Sequence, residues 1–329
     1  ASAFRSAGQR CSALRLLVVQ EDIAPRVIAM LRGAMDELCL GNPWLHATDV
    51  GPLIDTAARD RVRAHVEACS VGVLHRSDIP AGEGLFVAPT LISVPDIAAL
   101  HQEIFGPVLH VTTFPAGGLA QAVAAVNALG YGLTMGLQSR IEAHHQLVMR
   151  EAAVGNLYIN RNQIGAVVGV QPFGGEGLSG TGPKAGGPSY LARFLRNSDV
   201  LPRVASGRLP GPTGEWNALV HVPRGEVHLV VDEGADAAAL HAFRARLEAA
   251  GNRVSIARKA PADPKPAVAH LGGAESLVAL RRVLAAQEGP IRPILTPADP
   301  DGWFKIERCV SIDTTAAGGD VALVTAASG

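Results

Sequence analysis

No Cys-x-x-Cys pair occurs in this chain; its four cysteines, Cys11, Cys39, Cys69 and Cys309, stand far apart. That spacing argues against a zinc site or a disulfide framework and favours a reducing cytosol. No apolar run approaches the roughly 20 residues needed to span a bilayer, and residues 1–10 lack the apolar core of a secretion signal. Net charge is nearly absent as well, at -1. No global field therefore draws the chain to nucleic acid or to an anionic membrane; peripheral membrane association is left to a longer intact protein. What is present is 329 residues with 48% hydrophobic content, enough for roughly two domains with separate cores. The chain opens on Ala1 rather than Met, and residues 1–10 already read as part of a structural element, so upstream sequence is expected.

Periodicity gives an alternating pattern. Arg15–Gln20 reads as a strand, with a helix start at Asp22–Pro25 and helical spacing of Val27, Ile28, Leu31, Met35 and Leu38. Thr56–Ala68 is a second helix, Val62 and Val66 inward. Val71–Leu74, Leu85–Val87, Leu91–Val94 and Leu109–Phe114 read as strands; Gly118–Leu129 as a helix; Thr134–Gln138 as a strand; Glu142–Arg150 as a helix; Gly155–Asn160 as a strand. Strands alternating with helices imply an α/β sheet covered on its faces. Residues 165–187 are glycine-rich and too long for an ordinary connection, which points to a functional loop. Pro202–Gly214 reads as a linker. Beyond it, Val227–Val231, Ala235–Ala250, Arg253–Ile256 and Ala274–Gln287 form a smaller α/β pattern, and Cys309–Ser328 reads as extended chain.

Four segments carry chemistry. Cys11 closes Phe4-Arg5-Ser6-Ala7-Gly8-Gln9-Arg10-Cys11, with Arg10 and Arg15 as nearby cations. A lone cysteine is usually a small buried side chain, but a cysteine nucleophile needs nearby positive charge or N–H groups to hold its thiolate. Glu103-Ile104-Phe105-Gly106-Pro107-Val108 is a turn entering a strand. Gly155-Asn156-Leu157-Tyr158-Ile159-Asn160 and Gln171-Pro172-Phe173-Gly174-Gly175 follow. Taken in order, these segments resemble the aldehyde dehydrogenase superfamily over about residues 4–195. Gly175-Glu176-Gly177-Leu178-Ser179-Gly180 also fits G-x-G-x-x-G, but Pro172 precedes it and Pro183 and Pro188 follow. No helix starts in register there, so it is not a dinucleotide fingerprint.

The resemblance implies a partial aldehyde dehydrogenase catalytic domain at 1–201, a linker at 202–214, and a smaller α/β aldehyde-dehydrogenase-like, non-catalytic domain at 215–329 ending in a β-flap. It implies Cys11 as the catalytic nucleophile, Glu103 on the nicotinamide ribose of NAD, and Phe105 beside the nicotinamide. The run from Asn160 to Pro188 is similar to the glutamate-semialdehyde (1-pyrroline-5-carboxylate) dehydrogenase module of bifunctional proline utilisation A proteins. That likeness implies oxidation of L-glutamate γ-semialdehyde to glutamate in proline catabolism. Gly165 and Ala166 would grip the substrate carboxylate, with Ser12 and Phe173 also touching substrate. Lys184 reads as solvated, direct reach to the carboxylate being the alternative, and Cys309 as structural. The family's general base and most of its dinucleotide-binding domain fall before residue 1, as does any FAD-bearing proline dehydrogenase domain. The isolated chain is therefore expected to have negligible activity, with exposed apolar patches, and the intact protein to be a homo-oligomer in the cytoplasm. Two other readings stay open: a non-catalytic structural or oligomerisation fragment, and a dehydrogenase for another carboxylated aldehyde.

Overall fold

The computed structural model of the chain describes residues 1–79, 84–195, 206–263 and 267–315. They form two compact units. One comprises 1–129, 143–152 and 162–164; the other comprises 130–142, 153–161 and the described residues from 165 onward.

The first unit is built on a four-stranded sheet. Its strands are β1 (Leu16–Gln20), β2 (Val73–Arg76), β3 (Thr90–Ser93) and β4 (Val108–Phe114), in spatial order β1-β4-β3-β2. β4 runs parallel to both β1 and β3, and β2 closes the edge antiparallel. The first three residues of β3 and the first five of β4 are buried without a break, as in strands covered on both faces, with Leu91, Ile92, Val108 and Leu109 among them. Helices α1 (Ala24–Asp36), α2 (Thr56–Ala68), α3 (Leu119–Ala128) and nearly all of α4 (Glu142–Glu151) belong to the same unit. α2 begins where the Asp55 carboxylate accepts the Ala58 N–H at 2.6 Å, satisfying one of the helix's orphan donors. The same helix buries Ala58, Val62 and Val66. Asp22 does not cap α1. It lies in a 3-10 turn, Glu21–Ile23, and accepts from the Gln20 side chain instead.

Leu85–Val87 is not a strand. Its polar groups go elsewhere: the Leu85 carbonyl accepts from Leu53 N–H and the Phe86 carbonyl from Arg63. Two bonds to non-strand partners replace a ladder.

The second unit holds two larger sheets. β5 (Tyr131–Gly132) pairs only with β8 (Glu176–Gly177). β6 (Thr134–Leu137), β7 (Asn156–Ile159), β9 (Gly207–Leu209), β10 (Glu215–Pro223) and β15 (Lys305–Asp313) form one mixed sheet, ordered β6-β7-β15-β10-β9. β15 lies parallel to β7, Cys309 opposite Asn156 and Ser311 opposite Tyr158. The C-terminal segment thus completes a sheet that the central segment begins. A parallel sheet of β11 (Glu226–Val231), β12 (Arg253–Ala257), β13 (Ala267–Leu271) and β14 (Ile294–Leu295), ordered β12-β11-β13-β14, carries α5 (Ala237–Ala249) and α6 (Ala274–Ala285).

The sequence pattern missed β5, β8, β9, β10, β13 and β14. β9 falls inside the expected linker at 202–214, where Gly207–Leu209 pairs with Asn217–Leu219; the proline and glycine there punctuate a sheet edge. Residues 202–205 of that linker and 316–329 of the expected terminal flap lie outside the described residues. No helix among the described residues is long and apolar enough to cross a membrane.

Candidate active site

Cys11 ends an unusual turn. Ser6, Ala7 and Gly8 all have positive φ, at 56°, 53° and 65°. A left-handed backbone costs an ordinary residue about 1–2 kcal/mol, so Ser6 and Ala7 need outside support, while Gly8 adopts it freely. The support is packing. A Cβ on Gly8 would stand 2.0 Å from the Gly106 carbonyl oxygen, and one on Gly106 would stand 2.5 Å from a Val62 methyl. The two motif glycines let the Cys11 turn, the Glu103–Val108 turn and helix α2 stack backbone against backbone. Gln9 locks the outer side, its Oε1 accepting the Ile54 N–H at 2.9 Å.

Arg15 ties the arrangement together. Its guanidinium donates to the Gly8 carbonyl at 2.5 Å and to the Arg10 carbonyl at 2.9 Å, on either side of the turn. It also lies over the Phe105 ring, 4.5 Å from the centroid. Burial holds Arg15 below its ordinary pKa, while Glu103 and Cys11 pull it back up. One cation therefore feels both the sulfur and the acid. Cys11 and Glu103 are exposed, and Phe105 is 43% exposed. The Cys11 backbone N–H has no hydrogen-bond partner among the described residues. Ser12, by contrast, is buried, and its carbonyl accepts from Gln163.

The other three expected site residues lie in the second unit. Gly165 is exposed, with φ at 83°, and neither its N–H nor that of Ala166 has a partner among the described residues. The loop they open is held from behind. Gln171 accepts the Val167 N–H at 2.9 Å and donates to Glu215 and to Asn217. Glu215 also pairs with Arg161 at 2.5 Å. Phe173 is half-buried and exchanges two backbone hydrogen bonds with Ala185, at 2.9 and 2.8 Å.

Lys184 is not solvated. It is 2% exposed, and its Nζ donates to the Gly174 carbonyl and, at 3.1 Å, to the Asn156 side chain. Asn156 returns the favour to the loop by donating to the Pro172 carbonyl and accepting the Gly174 N–H. Burial pushes Lys184 down to about 8. It is a positioning group for the 172–174 turn. Cys309 is buried in β15, its thiol pushed up to about 11, the opposite of a nucleophile.

Sequence reasoning singled out Arg15 only as a nearby cation. The Gln171–Glu215–Arg161 network and the Asn156–Lys184 pair also escaped it. Asn156 stood inside a quoted motif and was the available signal; Glu215 lies 44 residues from Gln171, and no local pattern joins them.

A sequence profile described as the aldehyde dehydrogenase family matches residues 1–200. The bifunctional protein PutA of Escherichia coli K12 is 38% identical across 99% of this chain, which covers 31% of that protein. A PutA structure from Corynebacterium freiburgense aligns over 95% of this chain and 36% of its own, with a TM-score of 0.75 at 23% identity, a likeness of fold. A 1-pyrroline-5-carboxylate dehydrogenase structure from Thermus, with bound NAD, is 37% identical over 59% of this chain and 38% of its own, TM-score 0.55. The chain spans about a third of the length of the curated PutA proteins it matches. With the profile covering more than half of its residues, and the four motifs in family order, the chain belongs to the aldehyde dehydrogenase family.

Proposed function

We propose that this chain is part of a proline-catabolic enzyme that oxidises L-glutamate γ-semialdehyde to glutamate with NAD. The observation that carries it is the exposed Cys11 on a left-handed turn, bound through Arg15 to the segment bearing Glu103 and Phe105.

In this reading the Cys11 thiolate attacks the aldehyde carbon, and the Cys11 N–H, which has no other partner among the described residues, donates to the oxygen as it becomes an anion. Arg15, bonded to the Gly8 and Arg10 carbonyls, holds the turn that presents the Cys11 sulfur. Bound NAD would accept the hydride, and Cys11 would then carry the acyl group as a thioester. Water then releases glutamate with the help of a general base. Glu103 is exposed, and an ionised acid accepts two hydrogen bonds from a ribose diol. Phe105 offers part of its ring beside it. The open N–H groups of Gly165 and Ala166 suit a carboxylate without a full positive charge. Phe173 is assigned to packing on the substrate. Ser12, being buried, is assigned to shaping the nucleophile turn through its carbonyl.

The catalytic section at 1–201 and the C-terminal section from 215 onward are read as one enzyme part, the second non-catalytic. β15 beside β7 supports a scaffolding role for that section. FAD belongs to a proline dehydrogenase part elsewhere in the longer protein, whose homo-oligomer and cytoplasmic location complete the proposal.

The test is an NAD-reduction assay on the longer protein with a panel of aldehydes. Glutamate semialdehyde should exceed the matching aldehyde lacking a carboxylate by 100-fold or so in kcat/KM, since an anion site left empty discriminates strongly. Equal rates across the panel contradict the substrate assignment. Full activity in Cys11→Ser contradicts the mechanism.

A further inference from the structure

A cleft of about 380 Å³ opens within the second unit. None of the candidate site residues is among those lining it. Its walls carry Lys184, Arg193, Arg224, Arg281, Arg292 and Lys305, against Glu176, Asp299 and Glu307.

The acids are already committed. Glu176 pairs with Arg308 at 2.7 Å. Asp299 accepts the Thr296 N–H and hydroxyl at 2.6 and 3.0 Å. Glu307 accepts the Lys184 N–H at 2.9 Å. Three of the cations are engaged too. Lys184 holds Gly174 and Asn156, Arg193 lies over the Trp303 ring at 4.1 Å, and Arg292 donates to Gln287 and the Asp263 carbonyl.

The remaining three cations keep donors unengaged. Arg224 spends its Nε on the Trp303 carbonyl at 2.9 Å, and its two Nη atoms have no hydrogen-bond partner among the described residues. The same holds for the side chains of Arg281 and Lys305. Three successive backbone N–H groups on the glycine-rich wall, at Gly180, Thr181 and Gly182, also lack partners among the described residues. A half-buried arginine with unused donors is costly. Burial first, and then Arg193, push Arg224 down to about 10, against an upward pull from Glu176 and Asp299 that does not offset them.

Such a lining is rich in donors and short of free acceptors. It calls for an acceptor-only, multiply charged ligand. A carboxylate has two oxygens and prefers a single fork, and one phosphoryl group offers three acceptor oxygens. The uncommitted donors exceed either. The volume sits in the range of small-molecule sites. We infer that this cleft binds a small molecule bearing a diphosphate group. The inference does not depend on the dehydrogenase reading.

The test is calorimetric titration of this chain with inorganic pyrophosphate at low salt, beside citrate at equal ionic strength. Saturable binding of pyrophosphate is expected, tighter than citrate. Arg281 is exposed, so Arg281→Gln should fold and melt as wild type, yet bind about 10-fold more weakly, the loss of one charge-assisted hydrogen bond. Lys305→Gln should lose a similar factor, and Arg224→Gln, where it folds, at least as much. No saturable heat, equal affinity in Arg281→Gln and wild type, or citrate matching pyrophosphate overturns the inference.

Discussion

The two irregular segments of this chain solve one problem differently. The Cys11 turn is short and strained, and it is held by packing of glycine on glycine and by one arginine that spans it. The run from 165 to 187 is long, and it is held by buried polar side chains: Lys184 and Asn156 on one turn, Gln171 and Glu215 on another. A turn that must aim one sulfur is rigidified by close backbone approach, whereas a loop that presents backbone N–H groups keeps its donors free by supporting itself through side chains.

The largest effect expected from this contrast is at Lys184. Lys184→Met leaves the Gly174 carbonyl without its ammonium donor and the Asn156 oxygen one donor short. Two weakened buried acceptors cost about 2–4 kcal/mol, read as a loss of chemical-denaturation stability. The same variant sharpens the account through pH. The folded Lys184 gives up its proton near pH 8, while in the unfolded chain it holds it to about 10.5. Between those values the unfolded state binds more protons, so wild type should gain stability relative to Lys184→Met as pH rises from 8 toward 10.5. Cys309, pushed up to about 11, opposes this and is itself lowered by Lys184, so the comparison is made with Cys309→Ala in both proteins. A flat difference across that window breaks the claim that Lys184 is buried as a cation.

Gly8→Ala tests the other mode of support. Its added Cβ meets backbone, the Gly106 carbonyl, which cannot swing aside, and φ is positive. About 2–3 kcal/mol of destabilisation is expected from strain and overpacking, measured by thermal melting. A near-neutral Gly8→Ala would mean the turn is not held by close approach. The smallest effect is at α2, which presses Val62 against Gly106. Asp55→Ala removes its N-cap and should cost about 1 kcal/mol, with no change at the 165–187 loop.

Much of the first unit was legible because its signals are local. Thr56–Ala68 announces itself by helical spacing of Val62 and Val66, and the strand expected at Leu109–Phe114 differs from β4 by one residue. Leu85–Val87 misled because its apolar residues suit a strand while its carbonyls serve other partners. In the second unit, β10 shows no clean alternation, its burial running through three successive residues, Asn217, Ala218 and Leu219. β13 is short and alanine-bearing, a weak strand former. The pairing of β15 with β7 joins residues about 150 positions apart, and no periodicity records that. For the proposed site, the motif letters singled out Cys11, Glu103 and Gly165. The groups that hold them, Arg15 and Glu215, were hidden because their roles arise only when distant chain meets, and Lys184 was misjudged as solvated because its burial depends on β7 and on Gly174.

The most direct test of the central claim is the rate at which iodoacetamide labels each cysteine of this chain, resolved by peptide mass spectrometry, in wild type and in Arg15→Met. Cys11 and Cys39 are both exposed, so access alone predicts similar rates. The account predicts that Cys11 reacts at least about 10-fold faster than Cys39 at pH 7, and that Arg15→Met removes most of that advantage while Cys39 stays unchanged. Equal labelling of Cys11 and Cys39 in wild type, or a Cys11 rate indifferent to Arg15, contradicts it.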